Sequence, residues 1–233
     1  MSRLAFIGLG VMGYPMAGHL AQAGHDVAVY NRSSEKAEKW CAAYGGSHYP
    51  TPREAAEGAA IVFSCVGNDD DLRAVILGPD GALAGMSAGA ILVDHTTTSA
   101  EVAREIYALC QEAGADMLDA PVSGGEAGAV NGALTVMVGG DEQVFATAQE
   151  TIMTFARAAR LMGPTGAGQL TKMVNQICIG GLLQGLSEAL NFADKAGLDG
   201  RAVIDVISKG AAQSWQMENR HETMIDDAFD FGF

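Results

Sequence analysis

Short apolar runs punctuate the first two-thirds of the chain: residues 4–8 (LAFIG), 26–30 (DVAVY), 59–66 (AAIVFSCV), 88–94 (AGAILVD), 115–122 (ADMLDAPV) and 134–138 (LTVMV). Continuous apolar runs of this length predict strands buried on both faces. Between them the period changes. Met16, Leu20 and Ala23 form a helical stripe closed by Gly24, and Ser33 or Ser34 opens a second helix closed by Gly45. Residues 96–114 and 141–156 read as further helices, the latter with an acidic start that suits the positive helix end. Alternation of this kind predicts a doubly wound α/β domain with a parallel sheet, spanning residues 1–163.

The rhythm stops at 162–169, where Gly163, Pro164, Gly166 and Gly168 mark a connector. Beyond it no strand signal remains. Residues from about Gly168 to Ala196 predict one long helix, apolar on more than one face and therefore expected to be buried all round. This assigns residues 164–233 to an all-helical second domain. Gly180, Gly181 and Gly185 would let another helix approach closely, so a homo-dimer or higher homo-oligomer is expected. The last residues, Phe229 to Phe233, are apolar and aromatic, and read as a cut inside that domain rather than its natural end.

Composition narrows the function classes. The net charge of -14 leaves no basic footprint for nucleic acid or for an anionic lipid surface. Cys41, Cys65, Cys110 and Cys178 are widely spaced without a CxxC pair, so neither a metal site nor a disulfide framework is expected. The N-terminal apolar run is a strand broken by glycine, not a signal peptide, and no stretch reaches the ~20 apolar residues of a membrane span. A cytoplasmic enzyme is the expectation.

Gly8-Leu9-Gly10-Val11-Met12-Gly13 is a GxGxxG directly after a strand and at the opening of a helix. That context makes it a dinucleotide fingerprint: a tight turn, a close approach for pyrophosphate, and a helix end with free N–H groups. The second strand ends in Asn31-Arg32-Ser33, where NAD enzymes prefer a carboxylate. Removing that charge and offering a guanidinium favours NADP(H) over NAD(H), with NAD(H) still admitted. Lys36 lies one turn into the next helix. Two later strand ends, Cys65-Val66-Gly67-Asn68-Asp69 and Asp94 to Ser99, should border the nicotinamide half. His95, beside a strand end, reads as a structural histidine before a proton donor.

Two further stretches carry chemistry. In Asp119-Ala120-Pro121-Val122-Ser123-Gly124-Gly125, a strand runs into a hydroxyl and two glycines whose free N–H groups suit a carboxylate. Lys172, among only five lysines, sits at the start of the long apolar helix with Asn175 on the same face. Burying an ammonium lowers its pKa, and such a lysine can move a proton near neutral pH.

These residues resemble the β-hydroxyacid dehydrogenase family, which includes 3-hydroxyisobutyrate dehydrogenases, tartronate semialdehyde reductases and glyoxylate/succinic semialdehyde reductases. Four stretches carry the resemblance in order: FIGLGVMGYPMAGHL, VDHTTTS, DAPVSGGEAGA and GAGQLTKMVNQ. It implies a Rossmann-type domain and hydride transfer between a nicotinamide cofactor and a small carboxylate substrate. It also implies Lys172 as the catalytic residue, Ser123, Gly124 and Gly125 at the substrate carboxylate, and Asn175 in substrate positioning. Val66, Gly67 and Thr97 fall at the family's cofactor contacts. Gln176 stands where the family usually has a second asparagine, and the chain stops before the family's last helical segment.

Other readings differ at named residues. A short-chain dehydrogenase needs YxxxK, and no tyrosine here has a lysine four residues on. An imine reductase-like enzyme typically lacks the lysine found at 172. 6-Phosphogluconate dehydrogenase shares the asparagine-arginine turn but has a far longer helical domain. A dinucleotide-binding module without catalysis is the alternative from outside the enzymes.

Overall fold

The computed structural model describes residues 2–230. Of the stretch 229–233, on which the expectation of a cut rests, residues 231–233 lie outside the described residues. Contacts divide the chain after Lys172 into two compact units. In chain order the first holds β1 (Arg3–Ile7), α1 (Gly13–Gln22), β2 (Asp26–Tyr30), α2 (Ser34–Tyr44), β3 (Ser47–His48), α3 (Pro52–Ala56), β4 (Ile61–Ser64) and α4 (Asp69–Leu77). There follow β5 (Ile91–Asp94), α5 (Ala100–Glu112), β6 (Asp116–Asp119), β7 (Val122–Ser123), α6 (Gly125–Val130), β8 (Leu134–Gly139), α7 (Glu142–Ile152) and β9 (Ala156–Gly163). Helix α8 (Ala167–Lys195) then runs from the first unit into the second, which continues with α9 (Gly200–Ile207) and α10 (Trp215–Ile225).

The sheet order is β3-β2-β1-β4-β5-β6-β8-β7, with β9 beside β8. Strands β3 to β6 of this order pair in parallel. Because β1 lies between β2 and β4, the winding reverses there. That reversal opens a crevice at the carboxyl ends of the strands, where doubly wound sheets take ligands. Each strand feeds both faces. Leu4 and Phe6 join one buried cluster with Met16, Leu20 and Trp40, while Ala5 and Ile7 join another with Leu72, Ile76 and Ile106. Fully burying one such large side chain contributes ~1.5–3 kcal/mol, so the runs read as strands become the middle layer.

The structure departs from the periodicity in three places. Strand β8 pairs antiparallel with β6 and β7, so the sheet is mixed at that end. Residues 156–163 form a strand that the sequence does not signal between the helix expected to Ala156 and the connector expected from 162; β9 is an edge strand with Arg157 and Arg160 exposed, so it carries no apolar run. Helix α8 has the expected length, and the chain by itself leaves much of it exposed. After Lys172 only Leu186 and Ala193 are buried apolar residues of this helix among the described residues, while Val174, Ile177 and Phe192 are exposed. Its apolar residues are spread around the axis, and the second unit's small core of Leu186, Ile204 and Met217 covers one side.

Candidate active site at the carboxyl edge of the sheet

The glycine loop follows β1 and turns into α1. Gly8 sits at φ +97°, and a Cβ there would collide with the Cys65 carbonyl; a Cβ on Gly13 would collide with the Gly8 carbonyl. Gly10 differs, because a Cβ there would meet nothing within 4 Å. Packing thus requires two glycines, and the third leaves space for something outside the chain. Helix α1 has neither a side-chain cap nor an acidic residue in its first turn. By contrast α4, α5 and α7 are capped by Asn68, Ser99 and Asp141. A bare, electropositive helix end beside an open glycine fits the pyrophosphate of a dinucleotide.

Asn31 at the end of β2 braces this loop. Its Oδ1 accepts from the Leu9 N–H at 2.9 Å, and its Nδ2 donates to the Ser33 carbonyl at 3.1 Å. Arg32 and Ser33 are exposed beside it. A cleft of about 630 Å³ opens next to the loop, lined among others by Gly10, Val11, Tyr14, Lys36 and Lys39. Asn31 thus fastens the end of β2 to the glycine loop, while the cleft is walled by α1, α2 and α6 and does not include Asn31, Arg32 or Ser33.

The strand ends of β4, β5 and β6 meet in a buried polar network. Asp94 Oδ1 accepts from Ser64 Oγ at 2.7 Å and from Thr96 Oγ1 at 2.6 Å. Thr96 Oγ1 in turn accepts from the Val66 N–H at 3.1 Å. Asp94 Oδ2 is buried without a hydrogen-bond partner, and burial pushes this carboxyl up to about 7, against the hydrogen bonds from Thr96 and Ser64. Asp119 accepts from the Gly166 N–H at 2.7 Å and the Gln169 N–H at 2.9 Å, and so caps the start of α8. Burial raises its pKa despite those bonds. Gln169 is fully buried; it donates to the Thr96 carbonyl at 2.7 Å and accepts from the Thr98 N–H at 3.1 Å. Thr97, between those two peptide groups, is exposed, as is Gly67.

His95 is 1% exposed, stacked on Phe63 and edge-on to Phe155, with Nδ1 against the Ala120 carbonyl at 2.6 Å. Burial drags its pKa down to about 4, so it is neutral across the physiological range. It is a core histidine.

Lys172 is 9% exposed, and its Nζ donates to the Val122 carbonyl at 2.8 Å. Burial lowers its pKa below the ordinary 10.5. Val122 is the residue before Ser123, so the fold brings this lysine to the turn that carries Ser123, Gly124 and Gly125. Gly124 and Gly125 both lie at positive φ, and a Cβ on Gly125 would meet nothing within 4 Å. Asn175 lies one turn along α8, half-buried, with its Nδ2 on Gln176 Oε1 at 3.0 Å.

Asp94, Thr96, Asp119 and Gln169 were not singled out as site residues by the motifs, although each lies inside or beside one. A buried side chain that grips backbone leaves no periodic signal. The one available cue is polarity where an apolar residue would fit: Asp94 ends one apolar run and Asp119 interrupts another. Among the described residues there is no group of three His, Cys, Asp or Glu arranged to hold a metal ion, and no helix long and apolar enough to cross a membrane.

Residues 3–166 match the family described as the NAD binding domain of 6-phosphogluconate dehydrogenase. Residues 166–233 match the one described as NAD-binding of NADP-dependent 3-hydroxyisobutyrate dehydrogenase. An uncharacterized oxidoreductase of Shewanella frigidimarina is 64% identical over 233 residues, 100% of this chain and 80% of that one. The 2-hydroxy-3-oxopropionate reductase of Escherichia coli is 37% identical, over 99% of this chain and 78% of that one. Among solved structures, Mycobacterium tuberculosis 3-hydroxyisobutyrate dehydrogenase with L-serine matches with a TM-score of 0.89 at 31% identity, covering 100% of this chain and 81% of that one. With this fold and these motifs, the chain belongs to the β-hydroxyacid dehydrogenase family of NAD(P)-dependent oxidoreductases, as a 3-hydroxyisobutyrate dehydrogenase-like member.

Proposed function

We propose that this protein interconverts a small β-hydroxy acid and its semialdehyde or oxo acid, with Lys172 as general acid and base. The observation that carries the reading is the buried Lys172 Nζ, 2.8 Å from the Val122 carbonyl and next to the Ser123 turn. When bound, the nicotinamide cofactor supplies or accepts the hydride. The chain does the rest. The backbone N–H groups at Gly124 and Gly125 and the Ser123 hydroxyl hold the substrate carboxylate, and Asn175 assists its placement. In reduction, Lys172 as ammonium protonates the developing alkoxide; in oxidation, the free amine accepts that proton. Holding the carboxylate in place turns the carbonyl toward the transfer position and contributes by orientation.

For the cofactor, Gly8, Leu9, Gly10, Val11, Met12 and Gly13 would hold the pyrophosphate, with Val66, Gly67 and Thr97 toward the nicotinamide. Asn31, Arg32 and Ser33 would meet the adenosine ribose. Asn31 in place of a carboxylate at the end of β2 and the exposed Arg32 support NADP(H). A panel of small hydroxy acids and semialdehydes, each with NAD(H) and NADP(H), tests both assignments. Turnover on a carboxylate-bearing substrate that disappears in Lys172→Ala is the expected result; turnover without a carboxylate, or none on any member, contradicts it.

The exposed apolar residues of α8, Ile177, Leu182 and Phe192 among them, also support a homo-dimer or higher homo-oligomer. Light scattering is expected to give a multiple of 24.1 kDa; a monodisperse monomer contradicts it.

A further inference from the structure

We propose that Gln169 is a positioning residue that ties the loop beneath the nicotinamide to the helix turn carrying Lys172. The inference rests on the reading of Lys172 given above. Gln169 lies three residues before Lys172, in the first turn of α8. Its side-chain bonds both leave the helix: Nε2 donates to the Thr96 carbonyl at 2.7 Å and Oε1 accepts from the Thr98 N–H at 3.1 Å. The two peptide groups gripped in this way flank Thr97, whose own side chain faces outward.

A capping role does not account for this. Asp119 already accepts from the Gln169 N–H in the first turn of α8 and from the Gly166 N–H just before it. The amide could be replaced by an apolar side chain without costing the helix a bond. What would be lost is the link between loop and helix, and two buried backbone groups would lose their partners. A primary amide is the side chain that offers one donor and one acceptor side by side, which is what a carbonyl and an N–H two residues apart require. The same loop is held from below, where Thr96 Oγ1 bonds both Asp94 and the Val66 N–H. Thr96 therefore joins the β4 end, the β5 end and, through Gln169, the start of α8. Lys172 follows on the helix face adjoining Gln169. Movement of the 96–98 loop is thus transmitted to the lysine through the helix turn that joins Gln169 to Lys172.

The test uses Gln169→Leu and Gln169→Glu with Lys172→Ala beside them, reading NADPH affinity by fluorescence titration and the pH dependence of turnover. In Gln169→Leu we expect NADPH affinity to fall by on the order of tenfold. The limb of the turnover profile set by Lys172 should also move toward the ordinary lysine value of 10.5, because a loosened helix start admits water. General destabilisation lowers the active fraction at every pH and leaves the limb in place. A folded Gln169→Leu with wild-type NADPH affinity and an unmoved limb overturns the proposal.

Should that variant fail to fold, Gln169→Glu decides. It retains the acceptor for Thr98, and as a neutral acid it can still donate to Thr96. Asp94 and Asp119, both in the network around it, favour the neutral form, while Lys172 on the following turn favours the charged one. NADPH affinity relative to wild type should therefore improve as pH falls. An affinity equal to wild type at every pH overturns the proposal. Lys172→Ala separates the two claims. If its pH limb persists, the reading of Lys172 fails, and the NADPH affinity of the Gln169 variants still decides whether Gln169 holds the loop.

Discussion

At the β1 corner of the crevice the groups offered to a ligand are backbone, bare and open: Gly10 with empty space around it, an uncapped α1, and Arg32 in solvent. At the β5–β6 corner the polar side chains are buried and bonded to one another, with Asp94, Thr96, Asp119 and Gln169 each at 1% exposure or less. The first corner is shaped to receive charge. The second turns its polarity inward, holding the Val66 N–H and the peptide groups on either side of Thr97. On the proposed function, recognition and positioning are divided between two places on the carboxyl edge of one sheet. Damage to the first should appear as lost affinity alone, and damage to the second as lost turnover or altered pH response, joined by lost affinity where the 96–98 loop is loosened.

The largest expected effect falls at the second corner. Lys172→Ala should lower turnover by ~10²–10⁴-fold, with cofactor affinity measured by titration unchanged. Equal loss of affinity and turnover would erase the distinction. At the first corner two glycine variants should part company. Gly13→Ala drives a Cβ into the Gly8 carbonyl and should lower the melting temperature, whereas Gly10→Ala has room and should leave it unchanged while weakening dinucleotide binding. A Gly10→Ala variant that binds normally would mean that the open space serves no ligand. Arg32→Ala should cost NADPH binding ~1.5–3 kcal/mol, the range for a hydrogen bond to a charged group, and leave NADH binding nearly untouched. Similar losses for both cofactors would remove Arg32 from the choice between them.

The smallest effect concerns Asp94. Its folded pKa, about 7, lies above the unfolded value of 3.8, so the folded state binds the extra proton between those values. Stability from this group is full below about pH 4 and is lost as pH rises toward 7. Denaturant unfolding of wild type and Asp94→Asn across that window should give a difference that shrinks or reverses with rising pH. A constant difference would show that Asp94 is ionised throughout.

How much of this could be read from the chain differs between the same two corners. The glycine loop was legible because its requirements are local: a turn after a strand, a helix start, and an open backbone. Strands β1, β2, β4, β5 and β6 were legible because both their faces are buried, and their central residues are apolar. Strand β9 was missed because an exposed edge strand needs no such run. For α8, apolar residues on several faces state what must be covered, not what covers it, and within the chain one side is covered. The Gln169 clamp was invisible for another reason. Its partners, Thr96 and Thr98, lie more than seventy residues earlier and contribute only backbone, which carries no sequence signal.

The central claim is that Lys172, lowered in pKa by burial beside the substrate turn, carries the proton. The direct measurement is the pH dependence of turnover in the reducing direction for wild type and Lys172→Ala. Wild type should lose rate as pH rises through a value below 10.5, where the ammonium deprotonates, and the variant should lack that limb. The same limb in both proteins would assign the proton to another group and contradict the account.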